Sequence, residues 1–247
     1  MIVQYRLKLK GPEGRPLSNT WAYRLYAWLL EQAPEEFAAF AHRQENRCLS
    51  QYLDGNVWVL NLLGREAAEV FGSVLEKTEK ISLNNALMQV EESCCRVVEK
   101  PEDFLNRGRE LHCLRSELRF RSPTAFRQAG RYAIYPETGL ILQSLLAGWN
   151  QLYPEYLLED GDMLAELKGG INIVDYSLRT VRFRLKDTAV PGCLGWATVE
   201  ARLPIVLLEL WNALLCFAQF SGLGIKTALG MGGVKTFSTA AGCSFEL

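Results

Sequence analysis

Histidine is nearly absent from this chain of 247 residues, which holds only His42 and His112. The seven cysteines, an odd number, include the adjacent pair Cys94–Cys95 but no C-x-x-C. A structural zinc site needs His and Cys at short recurring spacings, so no metal and no other cofactor is expected. The thiols read as reduced, in a cytoplasmic protein. Long apolar runs are missing too, and residues 1–10 alternate apolar with polar and basic side chains. Neither a membrane span nor a signal peptide is expected from that pattern. Nor is there an excess of one charge: 27 Lys+Arg face 28 Asp+Glu, for a net charge of −1. A simple polybasic binder is thereby excluded. What remains is ordinary globular composition, 49% hydrophobic and 22% charged, in a length that fits one large or two smaller domains.

The neutral total hides a segregated charge pattern. Residues 107–131 carry seven arginines against two glutamates, and residues 179–186 add Arg179, Arg182, Arg184 and Lys186 with no acid. Residues 137–175 reverse the balance, with seven acids and only Lys168. A protein neutral overall can still turn one basic face to a phosphate backbone.

Periodicity gives the organisation. Residues 2–10 read as a strand with Val3, Tyr5, Leu7 and Leu9 on one face. Ser18 to His42 has helical spacing, broken near Pro34. Residues 56–63 read as a strand, 65–79 as an amphipathic helix and 86–98 as further strand, a β-α-β-α-β order that suggests a ferredoxin-like half. Pro101–Gly108 reads as a linker, dividing the chain into domains over 1–100 and 109–247. Beyond it, residues 110–121 alternate, with Leu114, Leu118 and Phe120 inward and Arg115, Arg119 and Arg121 outward. On that parity His112 is a packed structural residue. Residues 137–150 read as helix, and residues 171–186 alternate again, setting Arg182, Arg184 and Lys186 against Val181, Phe183 and Leu185. Pro204 opens an apolar helix. The expected fold is α+β, two tandem ferredoxin-like domains with antiparallel sheets and a glycine-rich loop near the C-terminal end.

That loop, Ser221–Val234, places Gly222, Gly224, Gly230, Gly232 and Gly233 around Lys226 and Thr227. Glycine lets backbone N–H groups approach an anion, so a surface loop of this kind could cradle phosphate. A glycine-rich connection with no ligand fits the same residues. A P-loop is excluded because Ile225 stands where glycine must precede Lys-Thr. A dinucleotide fingerprint is excluded because Thr227 replaces its third glycine and the order is helix, loop, strand.

The succession Phe120-Arg-Ser-Pro-Thr-Ala-Phe126, Tyr135-Pro136, Leu145-Leu-Ala-Gly-Trp149-Asn150, Gly195-Trp196-Ala-Thr and then the glycine loop resembles the CRISPR-associated repeat-RNA processing endoribonucleases of the RAMP superfamily. The resemblance is most specific over residues 118–236. It implies two ferredoxin-like domains and metal-independent cleavage of precursor CRISPR RNA within its repeats. In that chemistry the 2′-hydroxyl attacks the adjacent phosphate, leaving a 2′,3′-cyclic phosphate and a 5′-hydroxyl. It also implies a catalytic histidine after the first helix, the position of His42, whose ordinary pKa suits acid–base work near neutrality. Relatives pair this residue with a helical tyrosine and a following lysine. Here Tyr23 and Tyr26 lie on the helix, with Tyr26 assigned, and no lysine follows His42. Arg43 and Arg47 do, and Arg47 is assigned to the phosphorane charge. RNA contacts are assigned to Gly222, Gly224, Lys226, Thr227, Gly230 and Gly232 in the loop and to Arg119, Arg121, Arg182 and Arg184 on the basic strands. A charged, merely solvated strand face remains the alternative for those arginines. The partner implied is CRISPR repeat RNA. A homodimer, docking to other effector subunits, and a non-cleaving RNA-binding subunit on the same fold stay open.

Overall fold

The computed structural model of the chain describes residues 1–42, 47–83, 86–186, 188–239, 245 and 247, with backbone alone at Glu13 and His42. Strand β1 (Ile2–Lys10) is followed by helices α1 (Thr20–Glu31) and α2 (Glu35–His42), then by the hairpin β2 (Leu49–Asp54) and β3 (Val57–Leu63). Helix α3 (Arg65–Lys77), β4 (Lys80–Leu83) and β5 (Ala86–Val98) complete an antiparallel five-stranded sheet in the order β2-β3-β1-β5-β4. After α4 (Pro101–Leu111) come β6 (Arg115–Thr124) and a small hairpin, β7 (Phe126–Gln128) with β8 (Arg131–Ala133). Next are α5 (Thr138–Leu152), α6 (Gly161–Gly170), the long hairpin β9 (Ile171–Leu185) and β10 (Thr188–Ala201), α7 (Ile205–Ser221) and β11 (Val234–Ser238). The second sheet is also antiparallel, in the order β11-β6-β10-β9. The protein is thus α+β, with two ferredoxin-like halves. No helix among the described residues is long and apolar enough to cross a membrane.

Alternation explains β1: Val3, Tyr5, Leu7 and Leu9 enter the core with α1 and α3, while Gln4 faces the other side. β2 escaped that reading because residues 49–53 are buried on both faces, so no alternation shows. Its partner turn, Gly55-Asn56 with Gly55 at φ 62°, carries an ordinary two-residue hairpin signature. β4 and β10 were likewise unread, and so was α6.

The expected linker is in fact helix α4. Pro101 sits in its first turn, where its missing N–H costs nothing. Asp103 accepts a hydrogen bond from the Lys100 N–H at 3.2 Å, closing the N-terminus. Phe104 is fully buried, edge-on to Trp149, Phe217 and Phe220 at 6.1, 5.6 and 5.6 Å. Burial of such a ring stabilises by about 2–3 kcal/mol. Gly108 lets α4 approach α7 closely, since a Cβ there would stand 2.3 Å from the Glu209 carbonyl oxygen. The Pro and Gly that suggested a linker are a helix start and a helix contact. His112 is corrected as well: it ends α4 in the left-handed conformation, φ 39°, and is exposed rather than packed. Leu114 beside it is 57% exposed, because β6 begins only at Arg115 and the inward parity starts at Ser116.

Apolar packing runs across the halves. Ala125, Phe183, Val190 and Met231 from the second half join the core around α1. Ile2, Leu63 and Val98 from the first join the core around α5 and α7.

Candidate functional site

The glycine segment leaves α7 and folds back as a wedge between the halves. It is largely buried, against the expectation of a surface cradle. Its N–H groups are mostly engaged within the protein. Leu223 donates to the Gly232 carbonyl (2.8 Å), Ile225 to Ala125 (2.9 Å) and Gly232 to Pro123 (3.1 Å). Gly224 donates to the Ser144 hydroxyl (2.8 Å) and Gly233 to that of Ser122 (2.9 Å). The Ser122-Pro123-Thr124 block is therefore a seat for the loop. Two glycines are required by space as well as by backbone. At Gly224 (φ 82°) a Cβ would lie 2.1 Å from the Ala125 oxygen, and at Gly230 (φ 111°) it would lie 2.4 Å from the Ala22 Cβ on α1. Gly222 and Gly232 are buried beside Thr227 in the same way.

Buried polar side chains fasten the wedge to the first half. Gln51 of β2 donates from Nε2 to the carbonyls of Ala22 (2.9 Å) and Ala228 (3.0 Å), and accepts from Trp58 Nε1 at 2.9 Å. Ser50 donates to the carbonyl of Phe220 near the end of α7, and Asn61 donates to Ser50 at 2.9 Å. On the far side, Asp54 accepts from Arg121 Nε at 2.9 Å and pairs with Lys235 at 2.8 Å. Burial pushes the Asp54 carboxyl up, but the bonds from Lys235 and Arg121 outweigh it and hold the group below the usual carboxylate range.

Only the tip of the loop, Ile225 to Leu229, stays partly open. It forms one wall of a cleft of about 360 Å³. Tyr23 and Tyr26 of α1, Ala41 of α2, Arg47 and Leu49 form the opposite wall, and Arg127 and Tyr132 of the β7–β8 hairpin close one side. Arg47, Arg127 and Lys226 line this cleft, and no carboxylate does so among the described residues. Lys226 itself is left-handed, at φ 57° and ψ 33°, a conformation that costs a non-glycine residue about 1–2 kcal/mol.

The cleft brings together Tyr26, Arg47, Gly224, Lys226 and Thr227 from the expected set. The Tyr26 hydroxyl points at the Ala41 carbonyl, 3.5 Å away, and burial pushes its pKa up to about 12, so it is a neutral phenol near pH 7. Arg47 donates from Nη1 to the Ser144 carbonyl at 3.1 Å, and burial disfavours its charge. His42 is the last residue of α2, next to Ala41. Its side chain, like Arg43, lies outside the described residues.

The basic strands do not form one face. β10 pairs Ala197 with both Leu118 and Tyr176, and Trp196 with both Arg119 and Ser177. Because faces alternate, Arg119 and Arg121 lie on the side of the second sheet that meets the first half, and Arg182 and Arg184 on the side that carries the helices. Arg119 lies over the Phe237 ring at 4.5 Å and pairs with Glu117, and Arg121 is held by Asp54. Arg182 and Arg184 are exposed. The sequence reading missed Arg127 and Tyr132. Their hairpin turns through Ala129 (φ 48°) and Gly130 (φ 77°), and Ala-Gly is a poor advertisement for two left-handed residues.

Comparison with known proteins agrees with this fold. The family CRISPR-associated endoribonuclease Cas6 matches residues 118–234. The CRISPR-associated endoribonuclease Cas6 of Streptococcus thermophilus is 30% identical over 225 residues, covering 87% of this chain and 90% of that protein. That of Mycobacterium tuberculosis is 26% identical over 243 residues, covering 93% and 76%. In structure, the product complex of Thermus thermophilus Cas6 (TTHB231) superposes with a TM-score of 0.74 at 19% identity, covering 95% of this chain and 99% of that one.

Proposed function

This chain belongs to the Cas6 family of CRISPR-associated endoribonucleases, and from that premise we propose that it cuts precursor CRISPR RNA in the cleft between α1 and the glycine loop. The reading rests on one observation above the rest: a cleft lined by Arg47, Arg127 and Lys226, with no carboxylate among the described lining residues, opens beside the end of α2. A phosphodiester fits such a site, and a carboxylate-bound cation does not.

The reaction proposed is attack of a ribose 2′-hydroxyl on the neighbouring phosphate, giving a 2′,3′-cyclic phosphate and a 5′-hydroxyl, with no metal required. His42 moves the proton, a contribution of roughly 10²–10⁴-fold in rate. Tyr26, kept neutral by burial, donates a hydrogen bond. As the phosphorane gains charge, the cations of Arg47 and Arg127 stabilise it in a site partly shielded from water, while Lys226 holds the substrate phosphate in place. Arg47 gains most, because burial makes its charge costly until an anion arrives. Gly222, Gly224, Gly230 and Gly232 act at one remove, by holding Lys226 and Thr227 at the tip. Arg119, Arg121, Arg182 and Arg184 contact the RNA backbone outside the cleft, and since they lie on two faces they serve different stretches of the strand.

The test is incubation of the protein with labelled CRISPR repeat RNA in excess EDTA, followed by analysis of the product ends. A single cut with a 2′,3′-cyclic phosphate is expected. Tight binding with no cut would instead support a non-cleaving RNA-binding subunit, and a cut that needs added magnesium would refute the mechanism.

A further inference from the structure

Arginines on the two faces of the second sheet are treated differently. On the face toward the first half, Arg119 pairs with Glu117 and Arg121 with Asp54, and at the sheet's end Arg115 pairs with Glu200. Arg127 of the small hairpin and Arg182 and Arg184 of β9 are exposed, and none is within ion-pair distance of a carboxylate among the described residues. The same side of the molecule exposes three tyrosines: Tyr132 at 44%, Tyr135 at 42% and Tyr176 at 55%. Tyr176 shares its face of β9 with Arg182 and Arg184 by alternation. Tyr135 stands edge-on to it, ring centroids 5.6 Å apart at 73°, a pair that holds both rings upright without burying them. β9 is an edge strand, so nothing in the sheet lies beyond it.

The surface is continuous with the cleft. Tyr132 and Arg127 are register partners on the hairpin and also line the cleft. Phe183, between the two β9 arginines but on the opposite face, would meet a Cβ on Gly230 at 3.3 Å. The loop therefore lies behind this part of β9, and the surface reaches the cleft around the hairpin that carries Arg127 and Tyr132. From Arg184 to Tyr176 the strand runs roughly 26 Å at about 3.3 Å per residue. Beyond Tyr176 the chain turns acidic, from Asp175 back through α6 with Glu166 and Asp162 to Asp160 at its N-terminal cap. A polyanion following this path is drawn along it and meets repulsion at its far end.

We propose that Tyr132, Tyr135 and Tyr176, with Arg127, Arg182 and Arg184, form a binding track for a single-stranded RNA segment that leaves the cleft, its bases stacked on the tyrosines and its phosphates on the arginines. The inference rests on the RNA reading of the cleft and adds a ligand class to it. Unpaired bases suit it because exposed ring faces accept any base, whereas a duplex keeps its bases stacked on each other. Exposed arginines without tyrosines would suit any polyanion; the rings distinguish bases from mere phosphates.

The test isolates stacking. Binding of fluorescein-labelled twelve-nucleotide oligouridine is compared with that of an abasic ribose-phosphate oligomer of the same length and charge. The wild type is expected to prefer oligouridine by roughly tenfold or more, in keeping with stacking of one or two bases. The double variant Tyr135→Ala/Tyr176→Ala is expected to lose that preference, and Tyr135→Phe/Tyr176→Phe to keep it. A wild type without the preference, or an alanine variant that retains it, overturns the proposal. Absence of repeat-RNA cleavage alongside the expected oligouridine result would refute the cleavage reading while leaving this track in place.

Discussion

The two long walls of the cleft are built on opposite terms. In the glycine-loop wall, N–H groups from Leu223 to Gly233 are largely bonded to carbonyls and hydroxyls of the protein, and Gly224 and Gly230 press on Ala125 and Ala22. In the α1–α2 wall, Tyr26 and Arg47 are half committed: each has a protein contact and each still lines open space. Glycine enrichment in the loop wall marks close packing of two halves, and Lys226, held left-handed at the partly open tip, is the cation that this wall offers to the cleft. The difference teaches that one wall supplies placement and the other supplies chemistry. Substitutions in the two walls should therefore fail in different ways.

The largest effect expected is in the chemical wall. His42→Ala should slow single-turnover cleavage of repeat RNA by roughly 10²–10⁴-fold, with the dissociation constant for uncleaved RNA unchanged within about twofold. Next is the packing wall. Gly230→Val places a branched side chain at φ 111° against Ala22 and should destabilise by on the order of 3 kcal/mol. Thermal unfolding would show this as a Tm lower by roughly 6–12 °C for a chain of this size.

A smaller loss, about 2 kcal/mol, is expected from Asp54→Asn, which leaves Arg121 and Lys235 without their shared carboxylate. The pH dependence has a definite sign. Because the folded Asp54 carboxyl titrates below its ordinary value, its contribution is fully present above the unfolded pKa of about 3.9. It is lost as pH falls through the folded value. Wild-type and Asp54→Asn stabilities, followed by denaturant unfolding, should converge in that acid window. The smallest effect carries the sharpest contrast: Lys226→Gly should raise stability by about 1 kcal/mol, by relieving the left-handed strain. The same change should weaken RNA binding roughly tenfold, the worth of one charge-assisted hydrogen bond.

Much of the fold was legible wherever burial was one-sided. β1, α3 and α7 lie where their periodicity put them, and the order of blocks from Phe120 to the glycine loop identified the family correctly. Legibility failed where a segment is buried on both faces, as in β2, or where a special backbone residue plays an unexpected part. Pro101 and Gly108 begin and pack a helix; Ala129 turns a hairpin that brings Arg127 and Tyr132 to the cleft. Residue pairing across the second sheet was invisible for a related reason. Alternation within each strand was plain, but only the register through β10 shows that Arg119 and Arg182 lie on opposite faces. Many residues that carried the resemblance prove to be packing: Trp149 is buried with its Nε1 donating to the Tyr156 carbonyl at 2.9 Å, and Ser122 seats the loop.

The division between the walls is tested most directly by measuring single-turnover cleavage rate and RNA affinity together for wild type, His42→Ala and Lys226→Gly. The account predicts that His42→Ala loses rate at full affinity. Lys226→Gly should lose affinity, with a folded state more stable than the wild type's. If both variants changed the same parameter by the same factor, or if His42→Ala cut repeat RNA at the wild-type rate, the assignment of chemistry to one wall and placement to the other would be contradicted.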